Sequence, residues 1–346
     1  MLGVGRPLRA MATERNPMSR GIVTVLGCFN ADLVFEGAHL PALGETVMGR
    51  SFAIHPGGKG SNQAIAARRA GADVRLISAL GRDSFGDMAR TLYAEEGIDD
   101  RFVIDSRDSP TGTAFIFVDQ ANGENAILVG PGAATRIGAV DLDNAEDAFR
   151  GADVFMAQNE VPLAAVIRGF ELARRHGVTT IYNPAPAVAV PDSVLALADF
   201  MTPNRTEAAA LAGFAVTSYA DAERAAATLC TRGAGCTIVT LGAEGAVIAG
   251  QGAGDGAPVG PGVRGIIGEG REGRVPAFDT GPAVDTTGAG DAFNGAFAAA
   301  LAAGLDVAEA VRWGCAAGSI AVTRPGAARS MPRRGEIEAM VAGKPA

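Results

Sequence analysis

The chain has 346 residues, 48% of them hydrophobic and 47 of them glycine, which is enough for one large α/β domain with a small appendage. Its formal charge of −8 and its pI near 5.1 argue against a nucleic-acid-binding protein, because such proteins need clustered lysine and arginine to replace the counterions of phosphates. No run of about 18 apolar residues is present, so no membrane span is expected and a small-molecule partner is favoured.

The cysteines and histidines do not have the spacing of a metal site. The four cysteines contain no C-x-x-C pair, and the three histidines are scattered along the chain. We therefore predict buried, reduced thiols in a cytoplasmic protein. The residues concerned are Cys28, Cys230, Cys236 and Cys315.

Residues 1–20 are basic but lack the continuous apolar segment of a secretory signal. Met11 and Met18 lie within them. The favoured interpretations are a flexible N-terminal extension or a misassigned start codon, with a targeting peptide as the alternative. We expect the folded domain to cover residues 21–346 and to begin with a buried strand at 22–27.

Two later regions, at about 32–55 and 111–129, contain short segments that alternate between apolar and polar residues. This pattern is typical of half-exposed strands, and it interrupts the strand-then-helix order of the rest of the chain. We predict a separate small sheet, able to act as a lid, with a tight turn at Asn122 and Gly123. The segments are 33–35, 46–48, 51–54, 113–118 and 125–129.

Elsewhere short apolar strands alternate with helical patterns, which predicts a parallel sheet covered by helices on both faces. Strands are expected at 74–79, 154–157, 178–182, 200–202 and 237–241. Helices are expected at 62–70, 84–96, 162–176, 206–212, 221–232, 289–303, 307–322 and 334–341. Residues 250–275 are rich in glycine without hydrophobic period, and we predict a mobile loop there.

The segment VDTTGAGDAFNG at 284–295 leads directly into a helical pattern. Gly288, Ala289 and Gly290 leave the backbone N–H groups open to a ligand, and the start of a helix favours negative charge. Asp291 either caps this helix or accepts a proton from a substrate hydroxyl, and the segment alone leaves both roles open.

A second polar segment, PGGKGSNQ at 56–63, also precedes a helical pattern. Lys59 and Asn62 are able to donate hydrogen bonds to a polyol, whereas the alternative is a glycine-rich turn with a solvated lysine. Asn30 and Asp32 follow the first strand, where open α/β sheets bind ligands. They suit a clamp for vicinal hydroxyls, or they are ordinary turn residues.

Two segments, GGKGSNQAIAARRAG and DTTGAGDAFNG, resemble in order and spacing the two signatures of the ribokinase-like (PfkB) carbohydrate kinase family. Six shorter segments are similar to this family as well: NAD, LGETV, NPAPA, TPNRTEA, TLGAEG and AVTRPGA. The similarity extends from about residue 22 to 341. It implies a three-layer α/β/α fold with a mostly parallel central sheet and a small β-sheet lid that also forms a homodimer contact.

The resemblance also implies a reaction. The γ-phosphoryl group of ATP would pass to the 5-hydroxyl of a sugar, with D-ribose favoured, in the presence of Mg²⁺ and K⁺. The alternatives are another sugar or nucleoside, such as fructose, ketodeoxygluconate, deoxyribose or adenosine. A non-catalytic sugar or nucleotide sensor on the same fold is a further alternative.

By position, the resemblance assigns Asp291 as the general base and the backbone N–H groups of 287–290 as an anion hole. The residues expected to hold the sugar are Asn30, Asp32, Gly58, Lys59, Asn62 and Glu160. Those expected to meet the nucleotide and Mg²⁺ are Asn204, Glu207, Thr240, Gly242, Gly245 and Gly290. Those expected around K⁺ are Asp285, Thr287, Ala321, Arg324, Gly326 and Ser330.

Overall fold

The computed structural model describes residues 20–121, 123–250 and 273–343, and within them nine strands form one central sheet. In sheet order they are β13 (Arg274–Val275), β12 (Ala246–Gly250), β11 (Cys236–Thr240), β10 (Phe200–Met201), β9 (Thr179–Tyr182), β8 (Val154–Ala157), β1 (Ile22–Leu26), β4 (Asp73–Gly81) and β5 (Asp99–Ser106). Strand β12 is antiparallel to both of its neighbours, β11 and β13, and every other neighbouring pair is parallel. The predicted mostly parallel sheet is confirmed.

Helices cover both faces of this sheet. One face carries α1 (Lys59–Arg69), α2 (Ser84–Glu96), α8 (Ala289–Ala302), α9 (Val307–Ala321) and α10 (Arg334–Val341). The other carries α3 (Ala139–Asn144), α4 (Leu163–Arg175), α5 (Asp192–Leu195), α6 (Arg205–Ala212) and α7 (Tyr219–Thr231). Because side chains alternate along a strand, Met156 of β8 packs in the first core and Phe155 in the second. The fold therefore has three layers.

A separate four-stranded sheet confirms the predicted small sheet. Its order is β3 (Ser51–Gly57), β2 (Asn30–Gly37), β6 (Gly112–Asp119) and β7 (Asn125–Gly130). Strands β2 and β6 are parallel, whereas the two outer pairs are antiparallel. Part of the predicted turn, Asn122, lies outside the described residues. The loop is closed by a hydrogen bond from the Asp119 N–H to the Glu124 carbonyl, 2.8 Å.

The expected strand at 46–48 is wrong. These residues belong to the loop between β2 and β3, and the Met48 side chain is 93% exposed. A strand needs a neighbouring backbone to pair with, and β3 already occupies that side of β2. The apolar alternation of this segment therefore reflects exposed side chains and not a half-buried strand.

The ends of the predicted glycine-rich loop at 250–275 also need correction. Gly250 is the last residue of β12, and the second strand of the edge hairpin is β13 at Arg274–Val275. The remainder, 251–272, lies outside the described residues, as do residues 1–19 of the predicted extension. None of the helices in the described ranges is long and apolar enough to cross a bilayer.

Candidate active site

A polar cleft of about 210 Å³ lies at the carboxyl ends of the central strands. Asn183 directly follows β9, Thr202 directly follows β10 and Thr240 ends β11. Parallel strands present their carboxyl ends at one edge of a sheet, which is where open α/β folds bind ligands. The cleft is lined by Lys59, Asn183, Ala185, Thr202, Asn204, Glu207, Thr240, Thr286, Gly288, Gly290, Asp291 and Asn294.

Three helices, α1, α6 and α8, begin at this cleft. Lys59 is the first residue of α1, Asn204 is the N-cap of α6 and Gly288 is the N-cap of α8. Each helix start carries a partial positive charge at the cleft. The cleft is therefore built to attract an anion.

The turn before α8 requires glycine at 288. Gly288 has a φ of 78°, and a Cβ atom added there would lie 2.9 Å from the Ala327 Cα. Gly288 and Gly290 line the cleft, whereas the Ala289 N–H donates to the Thr286 carbonyl at 3.3 Å.

Asp291 does not cap α8, so that interpretation is wrong. It is the third helical residue, and its carboxylate turns away from the helix end toward α1. Its Oδ2 accepts a hydrogen bond from Asn62 Nδ2 at 3.0 Å, and its Oδ1 accepts one from Gln63 Nε2 at 2.9 Å. The carboxylate is buried and lies in the cleft wall.

Charges around Asp291 oppose one another. Burial raises the pKa of Asp291, whereas Lys59 and the hydrogen bonds from Gln63 and Asn62 lower it. Burial alone would lower the pKa of Lys59, but Asp291, Glu160 and Glu207 raise it overall, so the ammonium group stays charged. The Lys59 ammonium group therefore offsets part of the repulsion among these three carboxylates.

The sugar-binding residues predicted from the sequence converge beside Asp291. Glu160 Oε2 accepts from the Lys59 N–H at 2.7 Å and from Cys28 Sγ at 3.0 Å, which ties it to the start of α1. Asp32 lies against the backbone of Gly57, where an added Cβ would be 2.2 Å from its Oδ2. Burial, Glu160 and Asp291 raise the pKa of Asp32 to about 7.

Asn30 and Gly58 complete this group. Asn30 is the first residue of β2 and Gly58 is the N-cap of α1. A Cβ atom at Gly58 would lie 2.8 Å from the Asn30 backbone nitrogen, so the two backbones touch. The two polar segments that are distant in sequence therefore meet.

Asn204 and Glu207 form a reciprocal capping box at the start of α6. The Asn204 N–H donates to Glu207 Oε2 at 2.8 Å, and the Glu207 N–H donates to Asn204 Oδ1 at 2.9 Å. Burial raises the pKa of Glu207, against the hydrogen bonds from Asn204 and the charge of Lys59. Thr240 lies next to this box through a bridge to Asn204.

The described residues contain no group of three or more histidine, cysteine or acidic side chains suited to a metal ion. Mg²⁺ is commonly bound by one or two carboxylates together with substrate phosphates and water. Glu207, facing the cleft, fits that smaller donor set. Gly242 and Gly245 lie in the turn after β11 and, within the described chain, outside the cleft lining.

Part of the predicted K⁺ group is assembled around Asp285. Its Oδ1 accepts from the Thr287 N–H at 2.9 Å and its Oδ2 accepts from the Gly326 N–H at 2.8 Å. Burial opposes ionisation, but these hydrogen bonds lower the pKa of Asp285 overall. Two other side chains are engaged elsewhere, since Arg324 pairs with Glu336 and the Ser330 hydroxyl donates to the Ala327 carbonyl. Ala321, the sixth predicted residue, ends α9.

Residues 22–334 match the pfkB family of carbohydrate kinases. The chain belongs to this family. It is 37% identical over 317 residues to the ribokinase of Haemophilus influenzae, which covers 92% of this chain and 97% of that protein. It is 33% identical over 311 residues to the deoxyribokinase of Salmonella typhi, with 90% and 95% covered.

A solved structure of Arabidopsis thaliana ribokinase complexed with ribose and ATP is similar, with a TM-score of 0.83 at 27% identity. The match covers 93% of this chain and 99% of that one. The family and three-layer fold expected from the sequence are therefore confirmed. As a pfkB-family carbohydrate kinase, the chain is an enzyme.

For this carbohydrate kinase, sequence reasoning assigned no site role to three polar residues that line the cleft, Asn183, Thr202 and Asn294. It also assigned none to Gln63, which is fully buried and donates to Asp291. Each lies in or beside a motif noted in the sequence, directly after a strand or in the first two turns of a helix. That position was the available signal. Which of these residues contact Asp291 depends on how elements distant in sequence pack together, and a residue's position in its own motif does not reveal that packing.

Proposed function

We propose that the chain is a ribokinase that transfers the γ-phosphoryl group of ATP to the 5-hydroxyl of D-ribose. The observation that carries this proposal is the buried Asp291 carboxylate, turned from the helix end into a cleft that is built for anions. The ribokinase of Haemophilus influenzae and the ribose and ATP complex of Arabidopsis thaliana ribokinase support the choice of substrates.

In the proposed reaction Asp291 accepts the proton of the sugar hydroxyl as that oxygen attacks the γ-phosphorus. The bond from phosphorus to the β–γ bridging oxygen breaks, and ADP leaves with its electron pair. Of the anion hole expected at 287–290, the Thr287 N–H is engaged by Asp285, so negative charge on the migrating group would be stabilised by the N–H groups of 288–290 and by Lys59. Gly288, Gly290 and Lys59 line one cleft, which supports this arrangement.

The group beside Asp291 suits a pentose that carries all its hydroxyls. Asn62 Oδ1 is buried and has no hydrogen-bond partner within the described chain, and the Asp32 carboxyl lies close by. Sugar hydroxyls would satisfy both acceptors. A site that binds a hydroxyl rejects an analogue without it, because its buried polar groups stay unpaired. Asn30, Gly58, Lys59 and Glu160 would complete the sugar site.

The nucleotide would lie along the α6 side of the cleft, with Asn204, Thr240 and the turn of Gly242 and Gly245 beside it. Glu207 would hold Mg²⁺ through the phosphates or water, and the ion would neutralise charge on the transferring group when bound. The capping box with Asn204 fixes the Glu207 carboxylate at the cleft, which supports this role in binding Mg²⁺.

K⁺ is proposed next to the turn, where the ionised Asp285 fixes Thr287 and Gly326. Backbone carbonyls of Ala321, Arg324 and Gly326, with Ser330, would supply the oxygens a large monovalent cation prefers. Replacing K⁺ by tetramethylammonium should lower kcat in an ADP-release assay, because tetramethylammonium is too large to fit among these oxygen atoms. Equal rates in both salts would contradict the cation site.

The substrate proposal is tested with a panel of ribose, deoxyribose, fructose, ketodeoxygluconate and adenosine, each at several concentrations with ATP and Mg²⁺. We expect the highest kcat/KM for ribose and a product phosphorylated at the 5-oxygen by ³¹P NMR. A higher kcat/KM for deoxyribose would favour the second candidate, which the similarity to the Salmonella deoxyribokinase supports. No turnover with any acceptor would favour a non-catalytic sensor.

We further propose that residues 21–346 act as one kinase domain, with the small sheet as its lid and homodimer contact. Exposed apolar side chains on that sheet support the contact. A cytoplasmic location is proposed as well, because ATP is the phosphoryl donor and the four cysteines are free thiols.

A further inference from the structure

Gln63 uses every part of its side-chain amide to connect three segments of the chain. It is fully buried on α1. Its Nε2 donates to Asp291 Oδ1 and to Asn183 Oδ1, each at 2.9 Å, and its Oε1 accepts from Gln158 Nε2 at 2.6 Å. An amide offers two donors and one oxygen, so Gln63 is fully engaged.

The direction of these hydrogen bonds is fixed by a backbone group. Asn183 Nδ2 donates to the Thr202 carbonyl at 2.9 Å, and a carbonyl only accepts. Asn183 Oδ1 is then the acceptor that faces Gln63, so the Gln63 amide must turn its nitrogen toward Asn183 and Asp291. Gln158 holds the oxygen end. A flipped Gln63 would break all three contacts.

The donor beside Gln63 is less constrained. Asn62 Nδ2 donates to Asp291 Oδ2, but Asn62 Oδ1 has no partner within the described chain. The oxygen of the buried Asn62 amide is therefore unpaired, whereas both ends of the Gln63 amide are engaged. Of the two donors on the carboxylate, only Gln63 has its side chain held by residues of other segments, Gln158 after β8 and Asn183 after β9.

We propose that Gln63 is a positioning residue, held by Gln158 and Asn183, that fixes the plane of the Asp291 carboxylate for the sugar hydroxyl. This proposal rests on the proposed role of Asp291 as base. With one lone pair of Oδ1 taken by Gln63, the carboxylate has a single orientation toward the cleft. A misplaced reacting group costs rate even when substrates still bind.

A donor to the ionised carboxylate also keeps it deprotonated. The other charged or titratable groups that couple to Asp291 come from every element around it: Lys59 of α1, Asp32 of β2, Glu207 of α6, Glu160 and Cys28. These groups remain when Gln63 is replaced. A shift of the low-pH limb of the plot of kcat against pH, here called the acid limb, then reports the loss of the Gln63 donor.

The test compares Gln63→Met, Gln158→Met and Ser61→Ala, measured for kcat, both KM values and kcat against pH. The acceptor is whichever panel sugar the wild type phosphorylates best. For Gln63→Met we expect kcat to fall about 10- to 100-fold with both KM values within about threefold. Its acid limb should move to higher pH by about one unit, because the carboxylate loses a donor. Gln158→Met should shift both quantities less, in the same direction.

Ser61 is the matched control, since it is buried on the same helix and its hydroxyl lies toward Tyr93. Ser61→Ala should leave kcat and the acid limb unchanged. A Gln63→Met or Gln158→Met enzyme with lowered Tm but an unshifted limb and normal kcat overturns the proposal. So does an equal shift in Ser61→Ala.

A ligand-free readout separates this proposal from the proposed function. The Asp291 carboxyl is followed by ¹³C NMR in protein labelled at aspartate and assigned by its absence in Asp291→Asn. We expect a higher titration midpoint in Gln63→Met than in wild type, even if no panel sugar is phosphorylated. Equal midpoints overturn the positioning role and leave the proposed function untouched.

Discussion

At the scale of single residues, each carboxylate oxygen of Asp291 accepts one hydrogen bond, Oδ2 from the Asn62 amide and Oδ1 from the Gln63 amide. In Asp291→Asn, the new Oδ1 can keep the hydrogen bond from Gln63 while the new Nδ2 faces Asn62. Asn62 can turn its unpartnered oxygen toward that donor, so folding should be retained. We expect kcat to fall by about 10²–10⁴-fold with ribose affinity nearly intact, because only proton acceptance is lost. The measurements are ADP release and calorimetric sugar binding.

A true capping aspartate provides the control for that variant. Asp306 caps α9, where its Oδ1 accepts from the Glu309 N–H at 2.9 Å. Asp306→Ala should lose about 1 kcal/mol of stability without loss of kcat. Asp291→Asn with near-normal turnover would show that Asp291 is not the base.

Asp32 gives a pH dependence whose sign follows from its environment. Its pKa rises from 3.8 to about 7 in the folded chain, owing first to burial and then to Glu160 and Asp291. At pH values between these two pKa values, the folded state binds more protons than the unfolded state. The contribution of Asp32 to the free energy of unfolding therefore falls as the pH rises toward 7. At pH 8 the ionised Asp32 therefore opposes folding.

The matching variant is Asp32→Asn, whose amide carries no charge. We expect it to be about 1–2 kcal/mol more stable than wild type at pH 8, after allowing for solvent screening, with the difference gone near pH 4. Chemical unfolding at several pH values measures this. Glu36→Gln, on the same strand, is the control for loss of negative charge alone. A stability difference independent of pH would contradict the assignment.

At the scale of elements, the strands predicted best are those buried on both faces. Strand β8, VFMA, is apolar throughout, and the predicted bounds 154–157 are those observed. Strand β5, DDRFVIDS, carries four charged residues and was not predicted, because one edge of it faces solvent. Strand β12 pairs antiparallel with β11, a partner that the sequence pattern does not specify.

In the site, too, features within one short segment could be predicted from the sequence, whereas contacts between distant segments could not. Sequence reasoning found the glycine turn and Asp291, since both lie in one short segment. It left the cap and the base open because the deciding contact joins Gln63 to a residue 228 positions away. That contact arises from packing of α1 against α8, where Gly295 lies against Ala66 and Gln63. A short motif cannot contain it.

The start of α8 contains two glycines with different surroundings, Gly288 at the N-cap and Gly290 in the first turn. Gly288 has a positive φ, and its added Cβ would strike the Ala327 backbone at 2.9 Å. Gly290 has an ordinary helical conformation, and a Cβ there meets nothing within 4 Å, yet the residue lines the cleft. The fold therefore requires glycine at 288, whereas at 290 the proposed phosphate site is what an added methyl group would meet.

This difference predicts opposite outcomes for two alanine variants. Gly288→Ala should lose stability by about 1–3 kcal/mol, through strain and contact with Ala327. Gly290→Ala should be as stable as wild type or more so, because alanine favours a helix, but its methyl group would occupy the space of the phosphates. We expect Gly290→Ala to lose at least about 10-fold in kcat/KM for ATP. Thermal unfolding and kinetics of both variants measure this, and equal stability losses would contradict it.

At the scale of the whole molecule, the small sheet presents an apolar surface that the central domain does not cover. Phe35 and Phe52 are paired across β2 and β3, with ring centroids 4.6 Å apart, and the Phe115 ring lies 5.6 Å from Phe35. Phe52 is 53% exposed, and Leu128, which pairs with Phe115, is 72% exposed. Since paired residues share a face, these side chains form one exposed aromatic and aliphatic patch.

A second copy of the chain is the proposed partner of this patch, in a twofold arrangement that places the same face on both sides. The double variant Phe52→Glu with Leu128→Glu should convert the dimer to a monomer, because the contact would bury four like charges. Sedimentation velocity at several concentrations measures this. Val140→Glu is the control, since Val140 is 70% exposed on α3, away from the small sheet. A wild-type monomer, or a dimer that survives the double variant, would show that this face is not the contact.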